Sequence, residues 1–244
     1  MRDAEINNSG RQKELLTRVS LFSDLKIISC GLAFEEQALA EGFRFIAGVD
    51  EVGRGCLAGP VVAAACILDP SKPLPVGLDD SKKVSPEKRR EIAEELKQNV
   101  LAYSIGRVEA DEIDQINILE ATKKAMLMAI AALEPAADYL LIDALQLKQI
   151  RLPQKAIIKG DAISASIAAA SILAKTFRDG LMSEYGQTYP EYGFESHVGY
   201  GTKFHYDAIR AHGTCPLHRK TFRGVLPDVQ AASLLVTISN DQPS

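Results

Sequence analysis

The run Gly48-Val49-Asp50-Glu51-Val52-Gly53-Arg54-Gly55 concentrates more chemistry than any other stretch of the chain. Its two adjacent carboxylates are the hard oxygen ligands a divalent cation takes. The Gly-Arg-Gly that follows offers bare backbone, which can approach a phosphodiester closely, and a guanidinium, which can fork onto it. Metal and phosphate ligands this close together point to phosphoryl transfer on a nucleic acid.

Two more aspartates extend the set. Asp143 closes the apolar run Asp138 to Asp143, and Asp161 follows Lys159-Gly160 at the expected start of a helix. If the strands ending in Asp50 and Asp143 are neighbours, their carboxylates converge at one edge of a sheet. Gathered carboxylates repel each other and call for protons or cations. Two Mg²⁺ ions about 3.5–4 Å apart could activate a water and stabilise the leaving oxygen of an in-line displacement. An aspartate at a strand end can also simply cap a loop. Glu51 poses a geometric problem, because strand neighbours point to opposite faces. It can share an ion with Asp50 only if the strand bends there, or if it ligates through its main-chain carbonyl.

These residues need elements to hold them. Phe43 to Asp50, Pro60 to Leu68, Leu101 to Val108, Asp138 to Asp143 and Ala156 to Lys159 read as strands. The second is apolar throughout, as suits a strand buried on both faces. Ser85-Pro86-Glu87 opens a helix to about Asn99, with Ser as N-cap and Pro in the first turn. Ile118 to Leu133 forms a second helix. Ala162 to about Leu181 forms a third, with Ile163, Ile167, Ala170, Ala174, Phe177 and Leu181 on one apolar face. Thr202 to His212 forms a fourth, ended by Gly213 and Pro216. Strands alternating with helices imply an α/β domain around a mixed sheet. The expected divisions are residues 1–40, an N-terminal extension that could be helical; 41–183, the catalytic domain; 184–224, a small helical, basic segment; and 225–244, a loosely held tail.

The chain has 244 residues, a formal net charge of −4 and 46% hydrophobic residues. A net acidic chain is no general nucleic-acid coat, so local basic clusters must make any such contact. Cys30, Cys56, Cys66 and Cys215 are scattered without a C-x-x-C pair, which suits reduced thiols in the cytoplasm. No apolar run reaches the roughly 20 residues of a membrane helix, and the polar N-terminus has no secretory core. No acid or Cys spacing completes a zinc site with His205 and His212.

Taken in order, the blocks at 48–62, Leu78-Asp79-Asp80-Ser81-Lys82-Lys83, Asn117 to Thr122, Leu140 to Asp143, Lys159-Gly160-Asp161, Ala168 to Lys175 with Arg178-Asp179, Ser196 to Thr202, and His212 to Phe222 resemble the ribonuclease HII (type 2 ribonuclease H) family. The resemblance spans about residues 41–223. Val52 and Cys56 stand where the family usually has Ala and Pro. The resemblance implies a ribonuclease H-like fold, with a central mixed five-stranded sheet flanked by helices plus a small helical C-terminal segment. It implies a metal and catalytic set of Asp50, Glu51, Asp143 and Asp161, served by Mn²⁺ or Mg²⁺ ions, two in the active complex. It implies that Gly53, Arg54, Gly55 and Tyr200 read the junction between a ribonucleotide and the DNA that follows. The substrate implied is an RNA–DNA hybrid, or duplex DNA with an embedded ribonucleotide. The cut falls 5′ to the ribonucleotide and leaves a 3′-hydroxyl and a 5′-phosphate. A cytoplasmic monomer is expected.

Other contacts remain open from the residues alone. Tyr200 could lay its ring on a sugar or base, or be a core tyrosine with a satisfied hydroxyl. Ser171 and Lys175 lie on a polar stripe with Ser164 and Arg178 that either approaches phosphate or is a solvated face. Lys82 and the basic residues after it could position the duplex, as could His218 and Arg219 by donating to phosphate. Asp179 either pairs with Arg178 or caps a turn. The rival functions are another ribonuclease H-fold nuclease, a strand-transfer enzyme, or a hybrid-binding protein without catalysis.

Overall fold

The computed structural model describes residues 30–227. The expected tail beyond residue 227 and the extension before residue 30 lie outside them. Among the described residues, five strands form one mixed sheet: β1 (Ile46–Val52), β2 (Val61–Ile67), β3 (Ala102–Val108), β4 (Tyr139–Asp143) and β5 (Gln154–Ile157), in the order β3-β2-β1-β4-β5. The pairs β1/β2 and β2/β3 are antiparallel, and β1/β4 and β4/β5 are parallel. The mixed five-stranded sheet is therefore as expected.

The helices of the same span are α1 (Ala33–Ala40), α2 (Pro86–Asn99), α3 (Ala110–Ile116), α4 (Ile118–Ala131), α5 (Ala165–Thr188), α6 (Phe194–His197) and α7 (Lys203–His212). The Ser85 hydroxyl caps α2 by accepting from the Lys88 N–H, and the Thr202 hydroxyl caps α7 by accepting from the His205 N–H. Helix α3 has no counterpart among the expected elements. It is short, acidic at its start and buries only Ala110 and Ile113, too little to show a helical period.

The alternation of β2 divides the core. Val61, Ala63, Ala65 and Ile67 join α4 on one face, and Val62, Ala64 and Cys66 join α2 and α5 on the other. In β1, Ala47 and Val49 face the α4 side. Gly48 and Asp50 therefore face α5. The approach of α5 to β1 is so close that a Cβ on Gly48 would lie 2.0 Å from the Ser166 carbonyl carbon. Small residues on both sides make that contact possible, and all of Ala165 to Ala174 is buried. This differs from the single apolar face expected for the helix, since Phe177 and Ile163 are exposed. Helix α5 packs against β1 and β2 on one side and α2 on another, so its first half has no solvent face.

A division at residue 183/184 would fall inside α5, which runs unbroken to Thr188. Its buried Met182 reaches into a separate cluster with Leu57, Tyr192, Phe194, Ala208 and Ile209. The C-terminal segment thus has its own small core, anchored on the end of α5 and on the loop after β1. Among the described residues no helix is long and apolar enough to cross a membrane.

Candidate active site

The parallel register of β1 and β4 runs from Ile46 opposite Tyr139 to Val49 opposite Ile142. Asp50 and Asp143 come next on each strand, on the α5 face of the sheet. Asp50 is 5% exposed; it accepts a hydrogen bond from the Glu51 N–H (2.7 Å) and one from Ser171. Asp143 accepts from the Gly160 N–H at 2.7 Å. That bond draws in the 3-10 turn Gly160–Ala162, entered through Lys159 in the left-handed conformation (φ 57°). Asp161 on this turn is buried and bonded to Lys82 Nζ at 3.2 Å. Lys82 is otherwise exposed and lies 3.8 Å from Asp80.

Burial raises Asp50 well above the usual carboxylate range, helped by the charges of Glu51 and Asp143. Burial also raises Glu51 and Asp143, the latter with help from Asp161. Such a group of oxygens is short of positive charge. Glu51 Oε2 is moreover buried without a hydrogen-bond partner among the described residues. An all-oxygen set with raised pKa values has the chemistry a hard divalent cation satisfies. Among the described residues, however, no three His, Cys, Asp or Glu side chains stand close enough to enclose an ion. Asp161 is drawn to Lys82, and Glu51 to Arg54 Nη1 at 3.1 Å. Strand β1 stays paired with β2 through Val52, so the bend that would turn Glu51 beside Asp50 is absent. Of the two routes, ligation by the Glu51 main-chain carbonyl remains.

Three residues beyond Asp50, Gly53 turns with φ +91°, where a side chain would be strained. Arg178 fills the space a Cβ there would occupy, its Nε 2.3 Å from that position. Arg178 is fully buried and donates to the carbonyls of Pro60, Val198 and Ala58. Tyr200 is 43% exposed, so it is not a core tyrosine, and its hydroxyl meets the Cys56 thiol. The two loops that carry Gly53-Arg54-Gly55 and Tyr200 are thus clamped on one guanidinium.

The family model for ribonuclease HII matches residues 47–225. The chain belongs to the ribonuclease HII family. It is 57% identical over 190 residues to a ribonuclease HII of Chlamydia caviae, covering 78% of this chain and 89% of that one. It is 53% identical over 191 residues to one from Ruminiclostridium cellulolyticum, covering 78% and 74%. Its fold is similar to the ribonuclease HII in a PCNA complex from Archaeoglobus fulgidus, with TM-score 0.63 and 25% identity over 76% of this chain and 97% of that one. Membership makes it a ribonuclease H endonuclease, a hydrolase that acts on RNA–DNA hybrids.

Several contacts expected of this ribonuclease H are spent inside the protein. His218 is 1% exposed, with Nε2 3.1 Å from His205 Nε2 and Nδ1 accepting from the Cys215 N–H at 3.0 Å. Arg219 is fully buried and donates to the Gly59 carbonyl through Nε and Nη2 and to the Arg54 carbonyl through Nη1. Neither side chain is exposed to meet a phosphate; Arg219 instead holds the Gly53-Arg54-Gly55 turn through the Arg54 carbonyl. Ser171 is buried against Ser81 Oγ (2.9 Å) and orients Asp50 rather than a phosphate. Lys175 is held by Asp179 at 2.6 Å, and Asp179 also binds Arg89, not Arg178. Arg178, expected on a stripe that either approaches phosphate or is solvated, does neither: it is buried on three main-chain carbonyls.

Burial and the nearby His205 push His218 down to about 4 from an ordinary 6.5. The unfolded chain therefore takes up this proton first as the pH falls. His218 contributes stability above pH 6.5 that is lost between there and pH 4, on the order of 3 kcal/mol. The raised carboxylates act in the opposite sense, since acid relieves their repulsion. Comparing melting temperature against pH for wild type and His218→Asn separates the two. The wild-type curve should fall more steeply below pH 6.5, and parallel curves would rule His218 out.

Proposed function

We propose that this chain hydrolyses the phosphodiester 5′ to a ribonucleotide, in RNA–DNA hybrids and in DNA duplexes with single embedded ribonucleotides, leaving a 3′-hydroxyl and a 5′-phosphate. The observation that carries this reading is that neighbouring carboxylates and a clamped glycine turn follow one another along β1 and the loop after it. Asp50 meets Asp143 at the rim of the sheet, and the clamped Gly53-Arg54-Gly55 turn begins three residues further along.

Asp50, Asp143 and Asp161, with the Glu51 carbonyl, would hold Mg²⁺ or Mn²⁺. Such ions supply an activated water and charge stabilisation at the leaving oxygen, two being the usual number for in-line displacement. Ser171 and the Glu51 N–H fix the Asp50 carboxylate for this task. Lys82 balances Asp161, and were a cation to take over that charge its exposed ammonium would be free for a phosphate. The 2′-hydroxyl both donates and accepts, and it separates RNA from DNA. Backbone groups around Gly53 and Gly55 can meet both capacities with no side chain between. Arg54, half-exposed, can turn from Glu51 to a phosphate. The exposed Tyr200 ring could stack on the adjoining sugar or base.

An end-labelled DNA duplex with one ribonucleotide, incubated with the protein and Mg²⁺ or Mn²⁺, tests this reading. One cut 5′ to the ribonucleotide, absent with EDTA and on all-DNA duplex, is expected. Cleavage confined to long hybrids would remove the junction-reading role. For Tyr200→Ala, kcat/KM on the single-ribonucleotide duplex should fall about tenfold or more, since stacking on an aromatic ring is worth about 1–3 kcal/mol. Melting temperature should stay nearly constant. A loss of activity matched by a loss of stability would return Tyr200 to a structural role.

A further inference from the structure

Residues before the matched span 47–225 grip both loops that carry the outer site groups. Glu35 on α1 is buried, and its Oε1 accepts from the Ser164 hydroxyl (2.6 Å), the Ser166 hydroxyl (2.7 Å) and the Ser166 N–H (2.9 Å). Ser164 is the N-cap of α5 and stands three residues after Asp161. Gly31 adds two main-chain bonds to the same turn, its N–H to the Ile163 carbonyl and its carbonyl from the Ala165 N–H. Cys30 donates to the Leu78 carbonyl at 3.4 Å, just before the loop of Asp80 and Lys82.

A carboxylate at a helix N-terminus is favourable. Capping alone needs no more than the Ser164 hydroxyl, which already accepts from the Ile167 N–H. Glu35 adds a second, imported layer, and does so with its Oε2 buried and unpartnered among the described residues. That expense is understandable if the turn must not drift. Gly160 is pinned between Asp143 and Ile167, and Asp161 leaves from it. A small rotation of 160–166 would move Asp161 away from Asp143.

We infer that Glu35 is a positioning residue for the metal site, holding the 160–166 turn so that Asp161 and Asp143 stay in register for one cation. The role rests on the metal-site reading proposed above. Outer partners that orient ligands typically change metal affinity by about 10–100-fold when removed.

Titrating Mn²⁺ into the protein and following melting temperature measures affinity without turnover. Glu35→Ala should need about tenfold more Mn²⁺ for half of the shift, with KM for an RNA–DNA hybrid held and kcat lowered at limiting Mn²⁺. Glu35→Gln keeps the accepting oxygen and should lie near wild type, as should Glu36→Ala on the exposed side of α1. An unchanged Mn²⁺ midpoint in Glu35→Ala, with only the metal-free melting temperature lowered, would overturn the role. Should Glu35→Ala not fold, Ser166→Ala removes one donor and must move the midpoint in the same direction; no movement overturns the role equally. A wild type with no Mn²⁺ shift, indistinguishable from Asp161→Asn, would bring down the metal-site reading itself, and Glu35 with it.

Discussion

Asp50→Asn is expected to lose cleavage by at least about 10³-fold, the scale seen when one member of a catalytic unit is removed, while folding as well as wild type. The substitution keeps the shape and leaves an oxygen to accept from Ser171 and the Glu51 N–H. It deletes a buried charge that Glu51 and Asp143 already disfavour. In metal-free buffer at neutral pH its melting temperature should equal or exceed that of wild type. Adding Mn²⁺ should separate the two again. A cation at 100 times its dissociation constant stabilises the protein that binds it by about 2.7 kcal/mol, a rise the variant should lack. Turnover within tenfold of wild type would sink the assignment. So would a fall in melting temperature large enough to explain the lost activity.

The largest stability effect is expected at Gly48. A methyl group there would meet the main chain of Ser166 and Ile167 at 2.0–2.3 Å, and backbone cannot swing aside as a side chain can. Helix α5 would have to retreat from β1 by an ångström or more. Overpacking a tight core costs about 1–3 kcal/mol and occasionally more, and Gly48→Ala belongs at or beyond the upper end. For a domain of this size that is a fall in melting temperature of roughly 6–12 °C. The same retreat would separate Asp50 from Ser171, so activity should fall further than stability alone explains. A change of only a degree or two would show that α5 is not held as tightly as its packing suggests.

Asp50, Asp143 and Asp161 are legible in the sequence because each ends an apolar run or opens a helix, which are local patterns. So is the central place of β2, from its unbroken apolar run. Register is not legible. That Asp50 and Asp143 lie side by side on one face depends on the parallel pairing of strands about ninety residues apart. Ser171 and Arg219 differ from expectation because the partners that bury them come from distant segments, whereas Lys175 is held by Asp179 one helical turn on and His218 by Cys215 and His205 nearby in the chain. Arg219, for example, is spent on the carbonyls of Arg54 and Gly59. Glu51 shows the reverse. Alternation along a strand already identifies its difficulty, and the regular pairing of β1 to Val52 keeps its side chain on the face opposite Asp50.

The uneven ending of β1 and β4 has a consequence for where the enzyme cuts. Strand β4 stops at Asp143, and β1 continues past Asp50 to Val52 before the Gly53 turn. On the proposed reading the overrun would act as a ruler: three residues of extended chain, about 10 Å, separate the carboxylate that would hold a cation from the backbone that would meet the 2′-hydroxyl. The first mark lies on β1, and the second on the turn directly after it, which Arg178 clamps. On that reading, the offset between the recognised sugar and the broken bond is a length set by the strand end and the turn held against it.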